Sequence, residues 1–382
     1  MDAKYVPILA LLGAAVVGTQ LLSLLSLLYK CLIRGGKNLK RYGEWAVVTG
    51  ATDGIGKAMA FELARKGMSV MLVARSTEKL EAVKSELAAK YPQVQVATLV
   101  IDFAKFGAAD TPRVVEALKG LEVGVLVNNV GISYPFPQWY HELTEEETSS
   151  LMTVNVDSVV WMTRAVLPQM LERKRGAVVN MSSASAKVGP LLAVYASTKG
   201  FVENLTKSLA LEYSAKGIDF QCQSPLWVAT SIVFPGSSVP VEKRATMGTP
   251  TAKTYARYAV ARIGYDVMVS PYWVHALFMW FQERLPDFII GPQILSMHKG
   301  GGALRVSPTR DPPNKTRRPL PFAGLGLGAP EPSLRADSRA DMCASLRAAL
   351  CVRLCACVSG VSALCVRLLC WRLSICLLAL AR

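Results

Sequence analysis

Between residues 44 and 297 the chain alternates short apolar runs with longer amphipathic stretches. An apolar run bounded by turn residues is typical of a buried parallel strand, and an amphipathic stretch between two such runs predicts a helix that covers the sheet. The alternation therefore predicts a doubly wound α/β fold with a parallel sheet. Strands are predicted at 45–49, 69–74, 94–101, 123–127, 177–181 and 219–223. Helices are predicted at 55–66, 76–90, 144–173 with a break, and 194–216.

Residues 6–28 contain no charged side chain and are mostly Leu, Ala, Val and Gly. A helix of this length spans the roughly 30 Å hydrocarbon core of a bilayer. A cleaved signal peptide is the alternative, but its apolar core is shorter and ends in small residues, whereas bulky residues follow here. The basic residues that come next favour the cytosolic side of a membrane. They are Lys30, Arg34, Lys37, Lys40 and Arg41. We therefore expect residues 1–35 to form a transmembrane anchor, with the following chain in the cytosol.

The formal net charge of +15 raises the question of nucleic-acid binding. Residues 301–382 hold 12 Arg and Lys against 4 Asp and Glu, so +8 of the excess lies in this segment. A further part of the excess directly follows the apolar N-terminal run, as in membrane anchors. Nucleic acid is therefore not an expected partner.

The segment 300–382 is first rich in Pro, Gly and Arg and then, from Met342, in Cys, Leu and Arg. Arginines recur too often within its apolar part for a membrane span. We interpret the segment as low-complexity sequence rather than a second domain. A basic amphipathic helix on a membrane surface and a read-through product are the alternatives.

Cysteine and histidine placement argues against disulfides and metal in the rest of the chain. Seven of the nine Cys fall in the low-complexity segment, which leaves Cys31 and Cys222. Two such residues do not make a disulfide framework, and a reducing compartment is expected. The three His residues, His141, His275 and His298, lack metal-ligand spacing, so no metal site is predicted.

A glycine-rich segment joins the first predicted strand to the first predicted helix. It reads Thr-Gly-Ala-Thr-Asp-Gly-Ile-Gly from Thr49 to Gly56. In Rossmann-like folds a loop at this place brings backbone amides and a helix N-terminus to a dinucleotide pyrophosphate. Gly50 is expected to form the tight turn, Gly54 to approach phosphate, and Gly56 to let the helix pack on the strand. The predicted cofactor-binding loop consists of Gly50, Thr52, Asp53, Gly54, Ile55 and Gly56.

The residue at the end of the second predicted strand bears on the choice of cofactor. NAD-binding proteins usually place Asp or Glu here, where it holds the ribose 2′-hydroxyl, but this chain has Arg75. A guanidinium can pair with a 2′-phosphate through two hydrogen bonds, so NADPH is the expected cofactor. The alternative is a solvated Arg at a strand end. Asp102, after the third strand, is expected to accept from the adenine amino group, with a helix N-cap as the alternative.

Tyr195 and Lys199 lie four residues apart, on one face of a predicted helix. A neighbouring cation is expected to lower the Tyr195 pKa from about 10, which would make the phenol a usable general acid for a carbonyl oxygen that receives hydride. Such a pair alone is common on exposed helices. Upstream, the strand that ends at Ser182 and Ser183 delivers two hydroxyls to the carboxyl edge of the sheet, and one of them can hydrogen-bond a substrate carbonyl.

From about Gly43 to Met297 the chain resembles the short-chain dehydrogenases/reductases, and a domain at 43–299 is expected. The motifs that carry the resemblance are the glycine loop, Asn128-Asn129-Val130-Gly131, Asn155, the strand serines and the Tyr195 to Lys199 spacing. The resemblance implies that Tyr195 donates the proton and that Lys199 tunes it and binds the nicotinamide ribose. It further implies that Ser183 orients the carbonyl, Asn155 holds a water of the proton relay, and Asn128 supports the adenine–ribose region.

The choice of serine rests on two spacing rules of that family, which disagree here. Spacing from Tyr195 points to Ser182, whereas spacing from the strand residue Asn180 points to Ser183. We favour Ser183, because the strand fixes side-chain direction while a loop can lose a residue.

Three further stretches, at 129–135, 221–230 and 270–277, resemble the very-long-chain 3-oxoacyl-CoA reductases of the endoplasmic reticulum. That resemblance implies reduction of a 3-oxoacyl-CoA to a 3-hydroxyacyl-CoA in fatty-acid elongation, by a cytosol-facing domain at that membrane. A 17β-hydroxysteroid dehydrogenase is the second hypothesis, and a catalytically idle membrane scaffold is the third. Fatty acyl-CoA and membrane lipid are the expected partners, while contacts with other elongation enzymes and with a second copy of the chain stay open.

Overall fold

The computed structural model describes residues 5–234 and 237–303. Its sheet has seven parallel strands in the order β3-β2-β1-β4-β5-β6-β7. The strands are β1 (Trp45–Thr49), β2 (Ser69–Ala74), β3 (Val96–Val100), β4 (Val123–Asn128), β5 (Gly176–Met181), β6 (Ile218–Gln223) and β7 (Met268–Val269). This Rossmann-like order confirms the doubly wound α/β fold that the alternation of apolar runs predicts.

Ten α-helices accompany the sheet in the described part of the chain. They are α1 (Val6–Leu28), α2 (Gly54–Arg65), α3 (Thr77–Lys90), α4 (Thr111–Ala117), α5 (Glu145–Met152), α6 (Ser158–Glu172), α7 (Ala193–Tyr213), α8 (Ala252–Ala261), α9 (Trp273–Gln282) and α10 (Asp287–Ala303). The predicted helices do not include α4, α8, α9 and α10. Of these, α9 is apolar on nearly every side and α10 contains a Gly-Pro pair, so neither shows a clear helical period. The strand β7 is not predicted either, because a strand of two residues is too short to show an alternation of apolar and polar side chains.

The break expected in the long helix at 144–173 is a π-helical turn at Thr153–Asp157, between α5 and α6. A π turn widens the helix by one residue and changes the direction in which its side chains point. It contains Asn155, one of the predicted site residues, whose side chain is fully buried.

Two apolar cores, one on each face, hold the sheet in place. On one face, Met59 and Leu63 of α2 pack with Tyr255 of α8, all without solvent exposure. On the other face, Met162 and Met170 of α6 are equally buried. Because both faces are covered, the strand ends at the carboxyl edge are held by a rigid scaffold, and the loops there can carry a site.

The apolar N-terminal segment forms a helix. Among the described residues, Ala10–Ile33 is the candidate membrane span by length and composition, with a mean hydropathy of 2.0. A signal sequence near an N-terminus meets the same criterion, so the helix indicates an anchor or a signal. The segment 300–382, interpreted above as low-complexity sequence, lies outside the described residues except for its first four.

The basic residues that follow α1 are held by the globular part of the chain. Lys30 and Arg34 both form ion pairs with Asp266, at 2.7 and 2.5 Å. Arg262 donates to the main-chain oxygens of Cys31 and Arg34, at 2.7 and 2.5 Å. The end of the apolar helix is thus bound to the segment between α8 and β7.

Candidate active site

The strands β1 and β4 are neighbours in the sheet although they are not consecutive in the chain. Loops leave the carboxyl ends of two such strands toward opposite faces, and this opens a crevice. A cavity of about 550 Å³ lies along this edge. The predicted residues that line it are Gly50, Thr52, Asp53, Gly54, Ile55, Arg75, Asp102, Ser183, Tyr195 and Lys199. Three others, Gly56, Asn128 and Asn155, lie outside its lining.

The glycine loop has the backbone geometry that a close approach to phosphate needs. Gly50 has a φ of +64°, which favours glycine. A Cβ on Gly56 would overlap the main-chain oxygen of Gly50 and the side-chain nitrogen of Asn129, so Gly56 fixes the packing of α2 on β1 without entering the cavity. Asp53 caps α2 by accepting from the amide of Gly54 at 2.7 Å. The first amides of α2 therefore border the cavity, and they fit a pyrophosphate.

Arg75 and Asp102 lie at the ends of β2 and β3, in the lining of the same cavity. Arg75 is exposed, and neither a hydrogen bond nor an ion pair joins it to another described residue. Asp102 accepts from the main-chain amide of Ala104 at 3.2 Å, which is a local turn and not a helix N-cap. Both side chains are therefore placed to meet a ligand, and the guanidinium fits an anionic group.

Tyr195 and Lys199 lie one turn apart at the start of α7. The Lys199 Nζ lies 5.9 Å from the centre of the Tyr195 ring and donates to the main-chain oxygen of Met181 at 3.0 Å. Burial lowers the pKa of Lys199 to about 8. The structure therefore brings the predicted pair together with its ammonium inside the protein.

The expectation that the lysine lowers the Tyr195 pKa is wrong for this structure. Burial raises the pKa of Tyr195, because phenolate loses its hydration, and a hydrogen bond with Ser183 only partly opposes this. The Lys199 ammonium is directed at a main-chain carbonyl, which weakens its effect on the phenol. Tyr195 consequently keeps its proton near neutral pH, which is the state that a proton donor needs.

The two candidate serines line the cavity but have different partners. The Ser182 hydroxyl lies 3.1 Å from the main-chain oxygen of Lys199 and 3.1 Å from Glu203 Oε1, so it is engaged below α7. The Ser183 hydroxyl lies 2.9 Å from that of Ser185, and its interaction with the phenol is the cause that lowers the Tyr195 pKa against the effect of burial. Ser183 and Tyr195 therefore present neighbouring hydroxyls to the same point of the cavity.

Asn155 joins the π turn to the segment before it and to α7. Its side chain accepts from the amide of Ile132 at 2.8 Å and donates to the carbonyl of Ile132 at 3.0 Å and to Thr198 Oγ1 at 3.1 Å. A Cβ on Gly131 would lie 3.2 Å from both Asn155 Oδ1 and Lys199 Nζ. The missing side chain at Gly131 thus leaves the gap between Asn155 and Lys199 open.

Asn128 lies in a buried layer of amides below the cavity. It donates to Thr163 Oγ1 at 3.0 Å and to Asn180 Oδ1 at 2.9 Å. Its neighbour Asn129 lines the cavity and donates to the Thr49 carbonyl at 3.0 Å. Consecutive strand residues point to opposite faces, so only one member of the Asn-Asn pair reaches the crevice, and sequence analysis overlooked Asn129.

Tyr134 is a second residue that sequence analysis did not select. The first turn of α7 has no side-chain cap from Leu192, but the Tyr134 oxygen accepts from the amide of Val194 at 2.9 Å. Tyr134 thereby caps the helix that carries Tyr195. In the sequence, Tyr134 could have been selected only because the segment Ile132-Ser133-Tyr134-Pro135 directly follows the Asn-Asn-x-Gly motif.

Replacing Tyr134 with Phe should lower the free energy of unfolding by about 1 kcal/mol, the usual cost of losing a helix cap. The amide of Val194 would then lack its partner at a half-buried helix start. Equilibrium denaturation in detergent measures the change. Tyr140→Phe is the matched control, since Tyr140 is exposed and a surface change usually stays within about 0.5 kcal/mol. Equal effects of the two changes would contradict the capping role.

The comparisons with known proteins identify the family. The short chain dehydrogenase family model matches residues 44–236. A very-long-chain 3-oxoacyl-CoA reductase-like protein of Arabidopsis thaliana is 43% identical over 265 residues, which are 68% of this chain and 83% of that protein. Human inactive hydroxysteroid dehydrogenase-like protein 1 is 39% identical over 252 residues, which are 66% of this chain and 75% of that protein.

A solved structure shares the fold as well. The 3-ketoacyl-(acyl-carrier-protein) reductase of Brucella melitensis, complexed with NADH, has a TM-score of 0.52 and 29% sequence identity, and the match covers 60% of this chain and 95% of that one. The family model matches half of the chain, and the order of the strands in the sheet agrees with it. The chain belongs to the short-chain dehydrogenase family.

Proposed function

We propose that the protein reduces the 3-oxo group of a very-long-chain 3-oxoacyl-CoA with NADPH, at the cytosolic face of the endoplasmic reticulum membrane. The observation that carries the chemistry is the meeting of Tyr195, Ser183 and Lys199 in one cavity with the glycine loop. The substrate class rests on the 43% identity to the Arabidopsis reductase-like protein. The membrane location rests on the apolar helix at Ala10–Ile33.

In this proposal the protein positions one carbonyl oxygen between two hydroxyls. Ser183 donates a hydrogen bond to it, and Tyr195, which burial keeps protonated, gives up its proton as negative charge develops on the oxygen. We assign the gap beside Gly131, which the missing side chain leaves between Asn155 and Lys199, to a water of the proton relay. Lys199 stabilises the phenolate that forms.

The cofactor site in this proposal extends from the glycine loop to Arg75. The first amides of α2 hold the pyrophosphate, Arg75 pairs with the 2′-phosphate, and Asp102 accepts from the adenine amino group. Bound NADPH supplies the hydride. The similar Brucella structure holds NADH, so the preference for NADPH rests on Arg75.

Removal of the Ser183 hydroxyl should lower kcat by roughly 10²-fold, as loss of one preorganised donor to a developing oxyanion does. Ser182→Ala is the matched control, because Ser182 is engaged with Lys199 and Glu203 below the helix. We expect Ser182→Ala to change kcat much less. Steady-state rates of NADPH oxidation measure both, and the reverse ranking would assign the role to Ser182.

The pKa of Lys199, about 8, predicts a pH dependence. Burial lowers this pKa, so the ammonium is present below about pH 8 and is lost above it. If the cation is required, kcat/KM for NADPH should fall above that pH. Lys199→Arg should have lower activity without this inflection, because its guanidinium stays charged. If the pH profiles of the unchanged protein and of Lys199→Arg show the same inflection, the inflection does not come from Lys199.

Two other functions have specific support. The similarity to inactive hydroxysteroid dehydrogenase-like protein 1 is comparable to that to the Arabidopsis protein, so an idle scaffold and a steroid substrate both need a test. Against idleness, the chain keeps Tyr195, Lys199 and the glycine loop, none of which a scaffold requires.

The purified full-length protein in detergent should oxidise NADPH several-fold faster with a long-chain 3-oxoacyl-CoA than with a 17-oxosteroid at equal concentration. If the protein reduces the 17-oxosteroid but not the 3-oxoacyl-CoA, the proposed substrate is wrong and the steroid hypothesis is supported. Turnover of neither compound, with NADPH bound, would favour the idle scaffold.

A further inference from the structure

The helix α9 and the start of α10 expose a group of large apolar side chains. Three of them, Phe278, Phe281 and Phe288, have 53%, 55% and 77% of their surface exposed. Leu285 lies between Phe281 and Phe288 in the chain, Ile289 directly follows Phe288, and both are exposed as well. These five residues are called the α9–α10 patch below. Clustered exposed aromatic residues are unusual on a soluble surface and mark an interaction site.

Hydrogen bonds connect the patch to the apolar N-terminal helix. Trp280, between two patch residues, donates from Nε1 to Ser23 Oγ at 3.0 Å, and Arg284 donates to the same oxygen at 2.9 Å. The Arg284 guanidinium also stacks on the Trp280 ring at 3.7 Å. The patch is therefore fixed at the level of Ser23.

The position of Ser23 in the helix gives the depth of the patch. Lys30 is the first charged residue after the apolar segment and marks the level at which a membrane helix meets the headgroups. Ser23 precedes Lys30 by seven residues, which is about 10 Å at 1.5 Å per helical residue. Amphipathic helices at a membrane surface sit at a similar depth of roughly 5–10 Å. If α1 spans a bilayer, Trp280 and its neighbours must therefore enter the same leaflet.

We propose that the α9–α10 patch is a second membrane contact that inserts into the cytosolic leaflet of a phospholipid bilayer beside α1. The inference rests on the proposed membrane anchor. Lipid is favoured over a protein partner because the patch is continuous, through Ser23, with a helix whose own side chains suit hydrocarbon. The ion pairs of Lys30 and Arg34 with Asp266 hold the domain against the headgroup level at the same time.

The other end of α10 contacts the surroundings of the catalytic helix. His298 Nδ1 lies 2.7 Å from the carbonyl oxygen of Pro190, in the loop that leads into α7. Lys299 lies 5.4 Å from the centre of the Trp139 ring. The helix that carries part of the patch thus touches the loop five residues before Tyr195, so membrane docking brings this side of the domain to the bilayer that holds a lipid substrate.

Site-specific photocrosslinking in microsomal membranes tests the proposal with the full chain. p-Benzoylphenylalanine replaces Phe281 or Phe288, an aromatic-for-aromatic change at an exposed site that leaves the core intact. The membranes contain phospholipids with alkyne-tagged acyl chains, so lipid adducts can be counted. Leu211, which is 83% exposed on α7, is the matched control for an apolar surface residue away from the patch. Val17 in α1 reports on the anchor itself.

We expect several-fold more lipid adduct at positions 281 and 288 than at 211, together with adduct at 17. If lipid adduct forms at position 17, but positions 281 and 288 give no more adduct than position 211, the anchor is supported and the second membrane contact is overturned. Crosslinks from the patch to protein in place of lipid, whether to a second copy or another chain, would overturn it too. Adduct at the patch but not at position 17 would contradict the membrane anchor and with it the proposed contact beside α1.

Discussion

Tyr195→Phe is expected to lower kcat by roughly 10²- to 10⁴-fold, the usual contribution of a positioned general acid. The phenyl ring fills the same half-buried place at the start of α7 but has no proton to give to the substrate oxygen. The proposed cofactor contacts of the glycine loop and Arg75 do not involve the phenol, so NADPH is expected to bind with nearly unchanged affinity. Single-turnover reduction and a fluorescence titration with NADPH separate the two quantities.

The matched control for this change is Tyr213→Phe. Tyr213 ends the same helix and packs on Phe220 at 5.8 Å, away from the cavity lining. It should keep the kcat of the unchanged protein. Turnover of Tyr195→Phe at the rate of this control would show that the proton comes from another group, and Tyr195 would lose its role as the proton donor.

Arg75→Asp is expected to reduce the preference for NADPH over NADH by roughly 10- to 100-fold. Hydrogen bonds to charged groups contribute about 1.5–3 kcal/mol, and each 1.4 kcal/mol is a factor of ten. A carboxylate at the end of β2 repels a 2′-phosphate and can accept from a 2′-hydroxyl, so NADPH binding weakens while NADH binding improves. The ratio of kcat/KM values for the two cofactors measures the change.

Arg75→Ala separates attraction from repulsion. It should weaken NADPH binding without improving NADH binding, since the neutral side chain offers the hydroxyl no partner. Arg75 is exposed and has no described partner, so neither variant disturbs the packing. An unchanged cofactor ratio in Arg75→Asp would show that the guanidinium is a solvated side chain, which is the alternative that the sequence left open.

The sheet and the glycine loop follow from sequence because their signals are local. Buried strands such as β1 and β4 are continuous apolar runs, and a loop of this glycine spacing has one role between a strand and a helix. The pairing of Tyr195 with Lys199 is also local, since it needs only helical periodicity. Each of these features is decided by residues within a few positions of one another.

Features that depend on tertiary contacts were not predictable in this way. Spacing alone could not separate Ser182 from Ser183, because their difference lies in contacts with Glu203 and Tyr195 on α7. The raised pKa of Tyr195 comes from burial, which a helix pattern does not report. The cap from Tyr134 joins residues 60 positions apart.

The aromatic helices show a third kind of limit. In the sequence, α9 is equally suited to a core, an acyl channel or a membrane surface, because it is apolar on nearly every side. Only the exposure of Phe278 and Phe281 and the hydrogen bond of Trp280 to Ser23 distinguish these interpretations.

The most direct test of the central claim follows a labelled hydride. Purified full-length protein is given a long-chain 3-oxoacyl-CoA and NADPH that carries deuterium on the transferred position of C4. The proposal predicts a 3-hydroxyacyl-CoA with one deuterium on C3, and its near absence with Tyr195→Phe. Failure of the unchanged protein to form this labelled product, or equal labelling by both proteins, would contradict the claim that Tyr195, Ser183 and Lys199 form an active reductase site.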